Sequence, residues 1–118
     1  MKILSMLAAI TALSLQPAHA AEPQSMVRQA LEDGQATGRV DGPVAEETRK
    51  RLNATGPLTL AVKRIYRFDQ PGCARVQLDF TQEAALLPGT ALPVPYSWST
   101  QMNICADGHP PANLKRRD

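Results

Sequence analysis

The sequence predicts an α+β domain in which two short N-terminal helices pack on a three-stranded antiparallel β-meander. Two segments with helical spacing of apolar residues come first, and the spacing changes to strict alternation after residue 57. Segregated helices and antiparallel strands are typical of α+β domains. The chain also has two cysteines, each at one end of a predicted strand. A disulfide between them completes the predicted fold.

The N-terminal residues "MKILSMLAAITALSLQPAHA" have the features of a secretory signal peptide. One basic residue precedes an apolar run over residues 3–15, and small residues follow it, which predicts cleavage between Ala20 and Ala21. The run is shorter than the roughly 20 residues that a membrane-spanning helix needs. We therefore expect a periplasmic or secreted protein with no integral membrane segment after signal removal.

The charge balance predicts neither nucleic acid nor an anionic membrane as a partner. Removing Lys2 with the signal leaves twelve basic and eleven acidic residues, which create no strong field. Basic clusters do occur at residues 48–52 and 115–118. A solvated helix end and a terminal tail account for them, and polyanion binding is the alternative.

Two prolines mark the predicted helices. Pro23 suits the first turn of a helix within residues 22–35, and Pro43 does the same within residues 41–56. The second helix also has acidic residues in its first turns and basic residues in its last, which complements the helix dipole. The link between the helices, "GQATGRV", fits either a loop or a short strand.

Three predicted strands follow, at residues 58–68, 73–82 and 96–105. The turn "DQPG" has Pro and Gly at the central positions of a type II turn, so the first two strands form a hairpin. The first strand is expected to place five apolar side chains on one face, interrupted by Arg64. These are Leu58, Leu60, Val62, Tyr66 and Phe68.

The two cysteines predict the register of the last two strands. If Cys73 faces Cys105 across an antiparallel pair, Phe80 faces Trp98 and the apolar faces of both strands match. A shift of one residue would set an apolar face against a polar one. In an oxidising compartment this pair should form a structural disulfide. Closing a loop of about 33 residues stabilises the fold by roughly 3.5 to 4 kcal/mol.

Two other roles for the cysteines are weaker alternatives. A redox couple favours a close Cys-x-x-Cys pair, which the chain lacks. A metal site could use both cysteines with Asp107 and His109, but the last two lie in a Gly- and Pro-rich segment that holds ligands poorly. His109 is also the only histidine after the signal. We therefore expect no metal, no cofactor and no enzymatic activity.

Protein contact is the remaining kind of function, and aromatic residues often supply most of the energy of such contacts. Tyr96 and Trp98 are the candidate contact residues, together with Arg64 and Arg75 on the neighbouring strands.

The block "PGCARVQLDFTQ", followed by "ALLPGT" and "YSWSTQMNICADGHPP", resembles small exported proteins encoded with bacterial conjugation and type IV secretion genes. The resemblance implies accessory work at a conjugative transfer apparatus and carries over no functional residue. We expect a signal peptide over residues 1–20, one α+β domain over 21–108 and a flexible basic tail over 109–118. The expected function is protein contact in the periplasm, and a secreted hydrolase inhibitor or small effector is the alternative.

Overall fold

The computed structural model describes residues 20–117, so the predicted signal peptide lies outside the described residues except for the backbone of Ala20. The described residues form two helices and five strands. In chain order these are β1 (Ala20–Ala21), α1 (Pro23–Asp33), β2 (Gln35–Val40), α2 (Pro43–Arg51), β3 (Leu58–Arg67), β4 (Cys73–Ala85) and β5 (Val94–Cys105).

The predicted three-stranded sheet is wrong, because β2 adds a fourth antiparallel strand. The sheet has the order β1-β2-β3-β4-β5, and the two-residue β1 pairs with β2 in parallel. The sequence of β2 fitted either a loop or a strand. In the structure Gly34 caps the C-terminus of α1 with a φ of 93°, and the chain continues directly into β2, which pairs with β3. The α+β class, the two helices and the antiparallel order of β3, β4 and β5 are confirmed.

Both helices pack on the same side of the sheet, which we call the helix-side face. α1 contacts β2, β3 and β4, while α2 contacts β3 and β4. Side chains alternate across each strand, so every second residue contributes to this face. Its buried core combines one stripe of α1 with alternate residues of β2, β3 and β4. The buried members include Met26, Val27, Ala30, Ala36, Leu60, Val62, Val76 and Leu78.

A β-bulge in β3 corrects the predicted face of two aromatic residues. Arg64 pairs with Val76, but Tyr66 pairs with Arg75, so Ile65 is an extra residue in the ladder. An extra residue reverses the alternation of the side chains that follow it. Tyr66 and Phe68 therefore lie on the opposite side of the sheet from Leu58, Leu60 and Val62, with which the sequence had grouped them.

The predicted pairing of β4 with β5 is confirmed residue by residue. Cys73 pairs with Cys105, the two form a disulfide, and Phe80 pairs with Trp98. The ladder continues without a shift from Cys73 to Gln82. A shift occurs only beyond Gln82, close to the loop that joins the two strands.

The C-terminal segment, which the sequence predicts to be a flexible basic tail, forms backbone hydrogen bonds with the end of β3. Residue Arg116 forms an isolated β-bridge with Phe68, and Arg117 donates its backbone N–H to the carbonyl of Arg67 at 2.9 Å. Asp69 donates its backbone N–H to the carbonyl of Lys115 at 2.8 Å. The segment was expected to be a free tail because its side chains are polar. It is held instead through its backbone, which side-chain polarity does not report.

Candidate functional site

The four residues predicted to form a contact surface do not lie on one surface. Tyr96 and Trp98 lie on the helix-side face of β5. Arg64 lies on the same face of β3 but turns towards the end of α1. Arg75 lies on the other side of β4, which we call the polar face. Only the two aromatic residues therefore belong to one exposed patch.

Arg64 anchors the C-terminus of α1. Its Nη1 donates a hydrogen bond to the carbonyl of Leu31 at 2.8 Å, and its backbone N–H donates to the carbonyl of Gly34 at 2.9 Å. The last carbonyls of a helix have no partner inside it, and the helix dipole favours a cation there. Arg64 therefore interrupts the apolar face of β3 because it joins β3 to α1.

Arg75 is the centre of a hydrogen-bonded ladder on the polar face. Its Nε donates to Oε1 of Gln101 at 2.8 Å, and its Nη1 donates to Oδ1 of Asn103 at 2.8 Å. Gln101 in turn donates to Oε1 of Gln77 at 3.1 Å. Two of the donors of Arg75 are thus paired with side chains of β5, so this face of the two strands is joined by side-chain hydrogen bonds.

The ladder also includes Asp79, whose carboxylate accepts hydrogen bonds from two side chains. Ser99 donates its hydroxyl to Oδ1, and the amide of Gln77 donates to the same oxygen at 3.0 Å. The Ser99 bond first, then the Gln77 bond, hold the pKa of the Asp79 carboxyl below its ordinary value, with help from the charge of Lys63. A lowered pKa makes a carboxylate a weaker base, so Asp79 is suited to accepting hydrogen bonds rather than protons.

The helix-side face of β5 carries an aromatic patch, which we define as Phe80, Tyr96, Trp98 and Met102. Phe80 stacks on Trp98 with ring centres 5.1 Å apart and planes 9° apart. Tyr96 packs against Trp98, with ring centres 5.7 Å apart and planes 39° apart. Tyr96 is 41% exposed and Met102 is 37% exposed. The helices pack mainly on β2, β3 and β4, which leaves the patch accessible at the margin of the core.

A groove of about 390 Å³ continues the patch towards the disulfide. Val27 and Leu31 of α1 form one wall, and Met102 and Ile104 of β5 form the other. The turn after β5, residues 106–108, closes one end. The lining of the groove also includes three polar or charged residues, which are Gln24, Arg28 and Asp107.

The disulfide lies on the polar face at the end of the β3–β4 hairpin. There it forms a second small core with Phe68, against which Tyr66 packs. The guanidinium of Arg116 lies 3.8 Å from the centre of the Tyr66 ring and covers it. The bond between Cys73 and Cys105 occupies both thiols, so neither is available as the metal ligand that the alternative required. Within residues 20–117 no cluster of three or more His, Cys, Asp or Glu residues could hold a metal ion.

Met102 and Ile104, which line the groove on the same side of β5 as Trp98, were not among the contact candidates predicted from the sequence. Their exposure could have been predicted from the place of β5 as the last predicted strand. An edge strand far from the two N-terminal helices is less easily covered by them. No family model, curated protein or solved structure matches the chain. Among the described residues, no helix is both long and apolar enough to cross a membrane.

Proposed function

We propose that this is a small exported protein that acts by binding another protein through the aromatic patch of β5. One observation carries the proposal, namely the contrast between the two sides of β4 and β5. On the polar face, side chains of β4 and β5 form hydrogen bonds with one another across the two strands. The helix-side face of the same strands exposes Tyr96 and Met102. Exposed aromatic and methionine side chains beside a rigid sheet are the usual anchors of protein contacts.

The disulfide supports an oxidising compartment, because such bonds persist there and are rare in a reducing cytosol. Together with the predicted cleavage between Ala20 and Ala21, this favours the periplasm or the exterior. The sequence resemblance makes a conjugative transfer apparatus the favoured setting. A partner belonging to an envelope-spanning secretion complex is therefore the first to test.

A photo-activated cross-linker placed at Tyr96 in the exported protein tests the proposal. We expect one protein to be captured from Tyr96 and not from Gln77, which lies on the polar face of the neighbouring strand. Tyr96→Ser should remove binding of the purified partner, whereas Ser97→Ala, a neighbour on the other face, should preserve it. Equal capture from Tyr96 and Gln77, or equal binding by both variants, would exclude the aromatic patch as the contact surface.

A second candidate function, inhibition of a hydrolase, is favoured by the loop between β4 and β5. Leu92 in this loop is 73% exposed. The loop is braced by Thr90, whose Oγ1 donates to the carbonyl of Leu87 at 2.7 Å, and by Pro88 and Pro93. An inhibitor needs such a braced loop with one apolar side chain to offer to an enzyme cleft. If the captured partner is a hydrolase and Leu92→Ser removes binding while Tyr96→Ser does not, this second function replaces the first.

A further inference from the structure

The outer edge of β5 has backbone groups that no described strand uses. Phe68 donates its N–H to the carbonyl of Cys73, so the backbone N–H and C=O groups of Cys73 point towards β3. These backbone groups point to alternate sides along a strand, so those of Ala74 and Val76 point towards β5. Their partners Ile104 and Met102 therefore bond to β4. The groups that point away from the sheet belong to Ser97, Ser99, Gln101 and Asn103.

At each end of this open edge, the backbone cannot pair with another strand. At one end, Cys105 donates its N–H to the carbonyl of His109 at 2.9 Å, which independently confirms that the odd-numbered residues of β5 point outwards. At the other end, Pro95 has no N–H to donate. The open edge is thus four residues with both donor and acceptor free of partners among the described strands.

The usual protections of an edge strand are missing from this stretch. Natural edge strands are commonly short, or they carry charges, bulges or prolines that prevent pairing with another chain. β5 has twelve residues and no charged side chain. Its proline and the ladder shift opposite its first residues both lie before the open edge begins. The middle of β5 is therefore competent to pair with another strand.

We propose that the open edge of β5 pairs with β5 of a second copy of this chain, antiparallel, about a two-fold axis at Thr100. In this register Ser97 pairs with Asn103 of the second copy, and Ser99 pairs with Gln101. All four outward-pointing residues of each copy then exchange hydrogen bonds. A register shifted by one pair in one direction would place Pro95 in the ladder. A shift in the other direction would require the N–H of Cys105, which His109 already occupies.

The same axis matches the side chains on the helix-side face. Trp98 lies opposite Met102 of the second copy, and Tyr96 lies opposite Ile104. Directly opposite residues in antiparallel strands are in contact, and aromatic rings pack well against thioethers. Because β5 is uncharged, no like charges face each other across the axis. The two aromatic patches become one continuous surface, so the dimer deepens the proposed function by doubling the area offered to a partner.

Disulfide cross-linking tests the register. In the proposed dimer, Thr100 of one copy lies opposite Thr100 of the second copy as a non-hydrogen-bonded pair. The Cα atoms of such a pair are about 4.5 Å apart, which a disulfide can bridge. Thr100→Cys should therefore form a covalent dimer on mild oxidation. Met102→Cys is the matched control on the same face, because its counterpart lies four residues away, about 14 Å along the strand. Cross-linking of Met102→Cys to the same extent would overturn the register.

Charge pairs at the axis test the dimer itself, measured as a doubling of mass by sedimentation over a concentration series. Thr100→Lys and Thr100→Glu should each be monomeric, and mixing the two should restore the dimer. A native protein that stays monomeric throughout the series overturns the inference, as does a dimer that both variants retain. The inference fails separately from the proposed function, because cross-linking from Tyr96 to a different protein does not require the dimer.

Discussion

The two edges of the sheet differ in the length, charge and coverage of their strands. At one edge β2 has six residues, carries Arg39 and is covered in part by β1. At the other edge β5 has twelve uncharged residues, and no described strand covers it. The β2 edge is therefore protected against pairing with another strand, while the β5 edge can accept one. The proposed contact surface lies on the same side of this difference, because the aromatic patch is on the strand whose edge remains open.

Removal of the disulfide has the largest expected effect on the β5 edge. Changing Cys73 and Cys105 together to Ser should lower the free energy of unfolding by about 2 to 5 kcal/mol, because the end of β5 is then held only by its ladder. Urea denaturation measures this loss. Titration of the unreduced, denatured native protein should find no free thiol. Two free thiols would show that the disulfide is absent.

The β2 side depends on Arg64, which joins β3 to α1. Arg64→Leu should lower the free energy of unfolding by about 1.5 to 3 kcal/mol, the usual value of a hydrogen bond to a charged group. Arg75→Leu is the matched control, because its hydrogen bonds lie on the solvated polar face and should contribute less. A larger loss from Arg75→Leu would mean that the polar ladder, rather than the helix anchor, holds the sheet.

The C-terminal segment supports the disulfide end of β5. Deleting residues 110–118 removes the cation over Tyr66 and the backbone bonds to Arg67 and Asp69, and should cost about 1 to 2 kcal/mol. Thermal unfolding of the truncated protein measures it, with Lys115→Ala as a control that leaves the backbone contacts in place. An unchanged melting temperature would support the prediction of a flexible tail instead.

Asp79 gives the smallest expected effect, and that effect depends on pH. Because its pKa is lowered by Ser99 and then Gln77, the carboxylate stabilises the fold above its unfolded-state pKa of about 4, and this stabilisation is lost as the pH falls through the folded-state pKa. Asp79→Asn should therefore be slightly less stable than the native protein at neutral pH and equal to it in strong acid. A difference that is constant with pH would contradict the role of the carboxylate.

The pairing of β4 with β5 could be predicted because two independent constraints agreed. Pairing Cys73 with Cys105 places Phe80 opposite Trp98, and the apolar alternation agrees with this register because a shift of one residue would turn an apolar face towards a polar one. The strand β2 could not be predicted, since its six residues include Gly38 and its pairing depends on the turn at Gly34. Local composition does not report such tertiary pairing.

The positions of the four candidate contact residues could be predicted only in part for a related reason. Arg64 looked like an exposed break in an apolar face, and its hydrogen bond to Leu31 comes from a helix far along the chain. The sequence gives no sign of the bulge at Ile65 apart from the polar Arg64 in the apolar alternation. Tyr66 and Phe68 were therefore assigned to the wrong face. Tyr96 and Trp98 were identified because strand alternation alone places them together.

Amide hydrogen exchange along β5 tests most directly whether this edge continues the sheet. At low protein concentration Trp98, Thr100 and Met102 should be protected by their bonds to β4, while Ser99 and Gln101 exchange rapidly. As the concentration rises, Ser99 and Gln101 should become protected too, because the second copy now accepts their N–H groups. Rapid exchange of these two amides at every concentration, or protection of them already in the monomer, would contradict an open edge that pairs with its own copy.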